Sequence, residues 1–224
     1  MPVEILIYIY LGMCAGMILF NIATALLSRR REHRSFRDGI RLELTVSREL
    51  DRLAETGAVS ERHLRFMERR LRRVNGMVAF DAALERLCVR RPELTRSYLT
   101  ALNGVTITLA EDYCRRDEIE AAYFPYIIKK YRLIENRPFS GVVDAMYTLL
   151  RESSIYCREN AMQALYTTGD CDCIMKALKI LDGGESFFHE KLLADGLLEF
   201  TGDHEALGRC IEKSFADFSP EMQA

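Results

Sequence analysis

Four histidines, seven cysteines and a series of arginine clusters are the side chains of this chain with chemistry to offer. A zinc site needs about four converging N, S or O ligands. Cys171-Asp172-Cys173 and His189-Glu190 supply pieces of one. The two cysteines straddle the start of a helix, so their side chains need not converge. His189-Glu190 lacks the second histidine of an H-E-x-x-H motif. Glu111 and Asp112 are adjacent, and neighbours on a helix point about 100° apart, so they do not form a carboxylate dyad. The chain holds no G-x-S-x-G, no Walker loop and no G-x-G-x-x-G, the patterns of nucleophilic and nucleotide chemistry. The expectation is a protein that is not an enzyme, with no catalytic residue, no cofactor and no metal.

The arginines point to surfaces instead. Arg29, Arg30, Arg31, Arg34 and Arg37 follow an uncharged stretch. Beside a membrane such a cluster attracts anionic lipid headgroups at about 1 kcal/mol per charge. Arg65, Arg69 and Arg72 belong to a second cluster, spanning Arg62 to Arg73, diluted by Glu61 and Glu68. With a net charge of −2, the chain lacks the basic excess of a nucleic-acid binder, and no nucleic-acid partner is expected. Tyr123, Tyr126 and Tyr131 sit in an aromatic-rich segment with Phe124, and Phe139 and Tyr147 follow. Tyrosine is enriched at binding surfaces. Tyr123, Tyr126, Tyr131, Arg65, Arg69 and Arg72 are therefore the candidate surface for a protein partner of unknown identity.

The elements that must position these residues begin with the stretch Ile5 to Leu27, which carries no charged residue. About 20 apolar residues span a bilayer as a helix. Tyr8 and Tyr10 suit an interfacial belt, and the arginines that follow mark the cytoplasmic side. Ala23-Thr24-Ala25 resembles a signal-peptide cleavage site, but Met1 to Glu4 holds no Lys or Arg and the apolar stretch is too long for one. The reading is a single-pass protein of the cytoplasmic (inner) membrane, N-terminus outside and C-terminal domain in the cytoplasm. Gly12 and Gly16 form a G-x-x-x-G pair that would let two such helices approach closely as a homodimer. The cysteines would then be reduced and mostly small core hydrophobes.

After this anchor (residues 1–28) the helical period dominates. A basic neck helix (29–58) places Phe36, Ile40, Leu44, Leu50 and Leu53 on one face. Ile40 to Val46 also alternates with period 2, but a lone strand would have no partner. Residues 59–138 form a degenerate helical region. Ser60 caps a helix with the stripe Leu64, Met67, Leu71 and Val74, and Gly76 breaks it. Pro92 opens a helix running through Tyr98, Leu102, Val105 and Leu109 to Cys114. Asp117 caps the aromatic helix, which Pro125 should kink.

Residues 139–218 repeat. Thr168-Gly169-Asp170 recurs as Thr201-Gly202-Asp203, and Ala161, Leu165, Ile174 and Leu178 recur as Ala194, Leu198, Leu207 and Ile211. Each unit reads helix, Gly-Asp turn, helix, and a fixed period with paired helices implies an α-solenoid. The segment from Ile155 through Arg158, Ala161, Ala164 and Leu165 to Gly169-Asp170, then Ile174, Ala177-Leu178 and Leu181, resembles a bacterial HEAT repeat of the short type. Arg158 sits at the family's arginine position, and Tyr156 stands where the family usually has Val. The fold expected is all-α, a transmembrane helix followed by HEAT-like helix pairs. The resemblance implies an interaction scaffold, such as an accessory subunit of an envelope-polysaccharide glycosyltransferase assembly. It leaves two alternatives: a HEAT-type enzyme resembling bilin lyases or DNA glycosylases, and a dimeric spacer joined through Gly12 and Gly16.

Overall fold

The computed structural model describes residues 3–137, 140–152, 154–184 and 190–223. Within these, the side chains of 3–7, 9, 27–35, 190–192 and 221 lie outside the description. All regular structure among the described residues is helical: α1 (Val3–Thr56), α2 (Glu61–Leu71), α3 (Val74–Arg90), α4 (Pro92–Ala101), α5 (Asn103–Tyr113), α6 (Glu118–Lys130), α7 (Gly141–Leu149), α8 (Ile155–Tyr166), α9 (Cys171–Asp182), α10 (Glu190–Leu198), α11 (His204–Ser214) and α12 (Pro220–Gln223). A 3₁₀ turn, Phe215–Asp217, precedes α12.

The helix starts follow from local chemistry. The side chains of Ser60, Asp117, Ser140, Asp170 and Asp203 each accept a hydrogen bond from a backbone N–H of the first turn. Such a cap contributes about 1 kcal/mol. Pro92 opens α4 at a position where its missing N–H costs nothing. Gly57 takes φ +73° after α1 and donates its N–H to Leu53 O at 2.9 Å, the left-handed cap that glycine adopts without strain.

Among the described residues no helix is long and apolar enough to cross a membrane. This overturns the transmembrane anchor over residues 1–28, and with it the inner-membrane placement with the N-terminus outside. The physical reason is continuity. Residues 5–27 are the beginning of α1, a 54-residue helix that runs on without a break into the arginine-rich stretch.

The second half of α1 packs on α3 and α4. Its buried face is Leu42, Val46, Leu50 and Leu53, while Phe36, Ile40 and Leu44 are exposed. Of the expected face only Leu50 and Leu53 are buried. Apolar residues lie on both sides of this segment, and the contact with α3 selects one. Glu43 anchors the pair, accepting from Arg86 Nε at 2.5 Å and Arg90 Nη1 at 2.8 Å.

Two expected boundaries move. Gly76 does not break a helix but lies inside α3, and a β-carbon there would meet Arg70 O at 1.9 Å. It permits the close approach of the two helices, and the break falls at Arg72–Arg73. The helix opened by Pro92 ends at Ala101, and Leu102 joins it to α5. Pro125 leaves α6 one continuous helix. Burial of Ala121, Ala122, Phe124, Ile127 and Ile128 around it offsets the ~3 kcal/mol that an interior proline costs.

The core runs as one cluster from α1 to α11. At its C-terminal end α10 packs on α8 and α11 on α9. The two Gly-Asp turns touch: a β-carbon on Gly202 would come 2.3 Å from Gly169 O, and Thr201 N donates to Tyr166 O at 3.3 Å.

Candidate functional site

α6 carries the aromatic segment, and its sequence suits its ends. Asp117 accepts from Glu120 N at 3.0 Å, Glu118 and Glu120 lie in the first turn, and Lys129 and Lys130 in the last. This arrangement complements the helix dipole. The inner face is buried, with Phe124 stacked on Tyr113 at 5.2 Å between centroids. Ile119 and Tyr126 are exposed, and Tyr123 is half-buried.

α8 lies along α6. Asn160 Nδ2 donates to Ala122 O at 2.9 Å, and the Cys157 thiol to Glu118 O at 3.1 Å. Between the two helices runs a groove of about 760 Å³, lined by Ile119, Ala122, Tyr123, Tyr126, Ile155 and Tyr156 with Asn160 and Glu118. Ile119 is 87% exposed and Tyr156 70%. Glu118 is the one charged residue among those lining residues, so the groove can bury apolar surface but offers no acid–base pair.

The groove is braced from α3. The Asp81 carboxylate accepts from the Tyr131 hydroxyl at 2.6 Å and the Tyr123 hydroxyl at 3.2 Å. Lys130 Nζ lies 2.7 Å from Asp81 Oδ1 and 2.6 Å from Glu85 Oε1. Burial, and next the Asp81 charge, raise the Tyr123 hydroxyl above its ordinary value. Burial and the Asp81 hydrogen bond do the same for Tyr131. Burial opposes the Lys130 charge, but bonds to Asp81 and Glu85 outweigh it and hold the ammonium above its usual range. All three groups stay protonated donors around one carboxylate.

The expected surface residues therefore separate. Tyr123 and Tyr126 stack at 5.6 Å on the groove wall, while Tyr131 turns its hydroxyl to α3. Arg65, Arg69 and Arg72 lie on α2, and no described contact joins them to the tyrosines. Arg65 pairs with Glu61 at 2.8 Å, Arg69 Nε donates to Arg65 O at 3.2 Å, and Arg72 pairs with Glu68 at 2.9 Å and Asp112 at 3.0 Å. Gly12 and Gly16 face open space. Arg37 is exposed, and the side chains of Arg29, Arg30, Arg31 and Arg34 lie outside the described residues, as do Phe139 and His189.

Ile119, Ile155 and Tyr156 are the groove residues that the sequence reading missed. One signal was present in Tyr156, a large aromatic where the resembled repeat has Val. Among the described residues no group of three or more His, Cys, Asp and Glu could hold a metal ion. The described cysteines are free thiols, and burial raises Cys88, Cys114, Cys157 and Cys173. No protein-family model, curated protein or solved structure matches the chain.

Proposed function

We propose that this protein is a non-enzymatic helical scaffold that receives an apolar helical segment of a protein partner in the groove between α6 and α8. The observation that carries the reading is the set of exposed apolar side chains facing one another there: Ile119 and Tyr126 from α6, Ile155 and Tyr156 from α8. Burying such a side chain contributes about 1.5–3 kcal/mol. A few central anchors of this kind dominate the energy of an interface. A helix presenting apolar residues at i, i+4 and i+7 suits a groove between two helices.

The test is the double variant Ile119→Asp, Tyr156→Asp. Both residues are exposed, so thermal stability should stay within about 0.5 kcal/mol of the parent. Crosslinked pull-downs from the native cell should lose the partner at least tenfold. Equal recovery of the same proteins by parent and variant refutes the groove.

A second reading rests on α1. Tyr8, Leu11, Met13, Met17, Ile18, Leu19, Phe20, Ile22 and Leu26 are all exposed, and a helix apolar on every face is normally buried. Self-association through this stretch, with Gly12 and Gly16 at the contact, would cover it. Sedimentation of the parent and of Gly12→Ile, Gly16→Ile tests this, and a monomeric parent overturns it.

A further inference from the structure

A second cleft, of about 510 Å³, lies at the opposite end of α6. Its walls are α4 and the turn that follows α6, and its size falls in the range of small-molecule sites. Arg96, Arg132 and Arg137 line it, and Glu135 is the one carboxylate among the lining residues. Arg132 reaches Glu135 at 3.7 Å and Arg96 at 3.9 Å. Both distances are too long for a hydrogen bond. Arg137 Nη1 donates to the neutral Asn103 Oδ1 at 3.0 Å. Lys130, also on the wall, is occupied by Asp81 and Glu85. Two guanidiniums thus approach one loosely held carboxylate, and a third lines the same cleft.

The backbone supplies an independent observation. α6 ends in a Schellman motif: Leu133 N donates to Ile128 O at 3.0 Å and Arg132 N to Lys129 O at 3.1 Å. The first residue past the cap of such a motif takes a left-handed conformation, a place that glycine fills without strain. Here it is Arg132, at φ +48°. A side chain with a β-carbon is disfavoured there, so the chain holds a guanidinium at the cleft where glycine would fold more stably. Asn136, at φ +57°, anchors the far side of the turn by donating its N–H to Thr168 O at 3.2 Å. Strained residues held in place by their surroundings cluster at ligand clamps.

We propose that this cleft binds a phosphate dianion, taken either as the free ion or as a phosphomonoester of a small organic molecule. Guanidinium groups bind phosphate through paired, charge-assisted hydrogen bonds. Two positive charges in excess of Glu135 match a dianion. Leu99, Leu133 and the Tyr131 ring, on the same wall, can pack against the organic part of an ester.

Isothermal titration of the full chain with inorganic phosphate and with phenyl phosphate, at low salt, tests this. Saturable one-site binding that weakens as salt rises is expected. Tighter binding of phenyl phosphate identifies the ester as the source, and equal binding identifies the free ion. Arg96→Gln and Arg137→Gln should each weaken binding about tenfold or more. The decisive variant is Arg132→Gly, which should raise the melting temperature by relieving strain while weakening binding to a similar degree. A residue with only a structural role would not give that pair of changes. No saturation by either ligand, or unchanged binding by Arg132→Gly, overturns the proposal.

Discussion

α6 has two clefts at its two ends, made from the same helix by opposite chemistry. The groove shared with α8 exposes Ile119, Tyr126, Ile155 and Tyr156 and has one charged lining residue. The cleft shared with α4 is lined by three arginines, the end of α6 at Lys130 and the turn that follows it. The first suits association through apolar area, which salt leaves nearly untouched. The second suits association through charge, which salt weakens. One polar cluster holds both. Asp81 on α3 binds Tyr123 on the groove side and Tyr131 and Lys130 on the cleft side.

The largest expected effect therefore comes from Asp81. Asp81→Ala strips the carboxylate acceptor from the Tyr123 hydroxyl, leaves the Tyr131 hydroxyl with the backbone carbonyl of residue 81 at 3.0 Å, and removes one of the two carboxylates that pair with Lys130. Breaking a buried pair costs about 3–5 kcal/mol, and the partial exposure of both partners lowers this to about 2–4 kcal/mol. Urea unfolding should show that loss, and both clefts should weaken together. If only one cleft loses its ligand, Asp81 is not their common support.

How much of this could be read beforehand depended on distance along the chain. The caps at Ser60, Asp117, Asp170 and Asp203 were legible because donor and acceptor are two or three residues apart. The all-helical class was legible from periodicity. The buried face of α1 was not, because contact with α3 chose between two apolar sides. Gly76 read as a breaker because no local signal separates a helix end from a close approach. The Asp81 cluster joins residues 42 to 50 positions apart, and Arg96 comes near Glu135 only because the turn after α6 brings that residue to α4. The apolar N-terminal stretch read as an isolated span because its sequence does not show where the helix ends.

The next effect should fall mainly on the α4 side. His63 Nε2 on α2 and the Tyr98 hydroxyl on α4 lie 2.7 Å apart in a buried hydrogen bond. Burial holds His63 below its ordinary value of 6.5, against the attraction of Glu49. The folded state thus favours neutral imidazole, so this contribution is complete above pH 6.5 and is lost as pH falls below it. Glu49, held low by its bonds to Ser60 despite burial, acts in the same direction but below 4.5. The melting temperature should fall between pH 7.5 and 5.5, and His63→Gln should flatten that slope. Tyr98→Phe, which removes the partner of a buried nitrogen, should cost about 1–2 kcal/mol at neutral pH. Amide exchange at pH 5.5 should rise in α4 before α8. Equal slopes for parent and His63→Gln would remove His63 as the cause.

The smallest effect has the opposite sign and belongs to the α8 side. The Tyr166 hydroxyl at the end of α8 is buried with no hydrogen-bond partner among the described residues, and burial raises it well above its ordinary value. Its ring packs on Gly196 of α10, where a β-carbon would come 2.2 Å from Cε2. Tyr166→Phe keeps that ring and removes the desolvated oxygen. The variant should gain about 1 kcal/mol, or roughly 2–4 °C in melting temperature, with both clefts unchanged. A loss of stability would mean that the hydroxyl is satisfied in the native protein. The gain would show that the Tyr166 side chain holds the end of α8 against α10 by ring packing, in contrast to Tyr123 and Tyr131 of the α6 region, which act through their hydroxyls on Asp81.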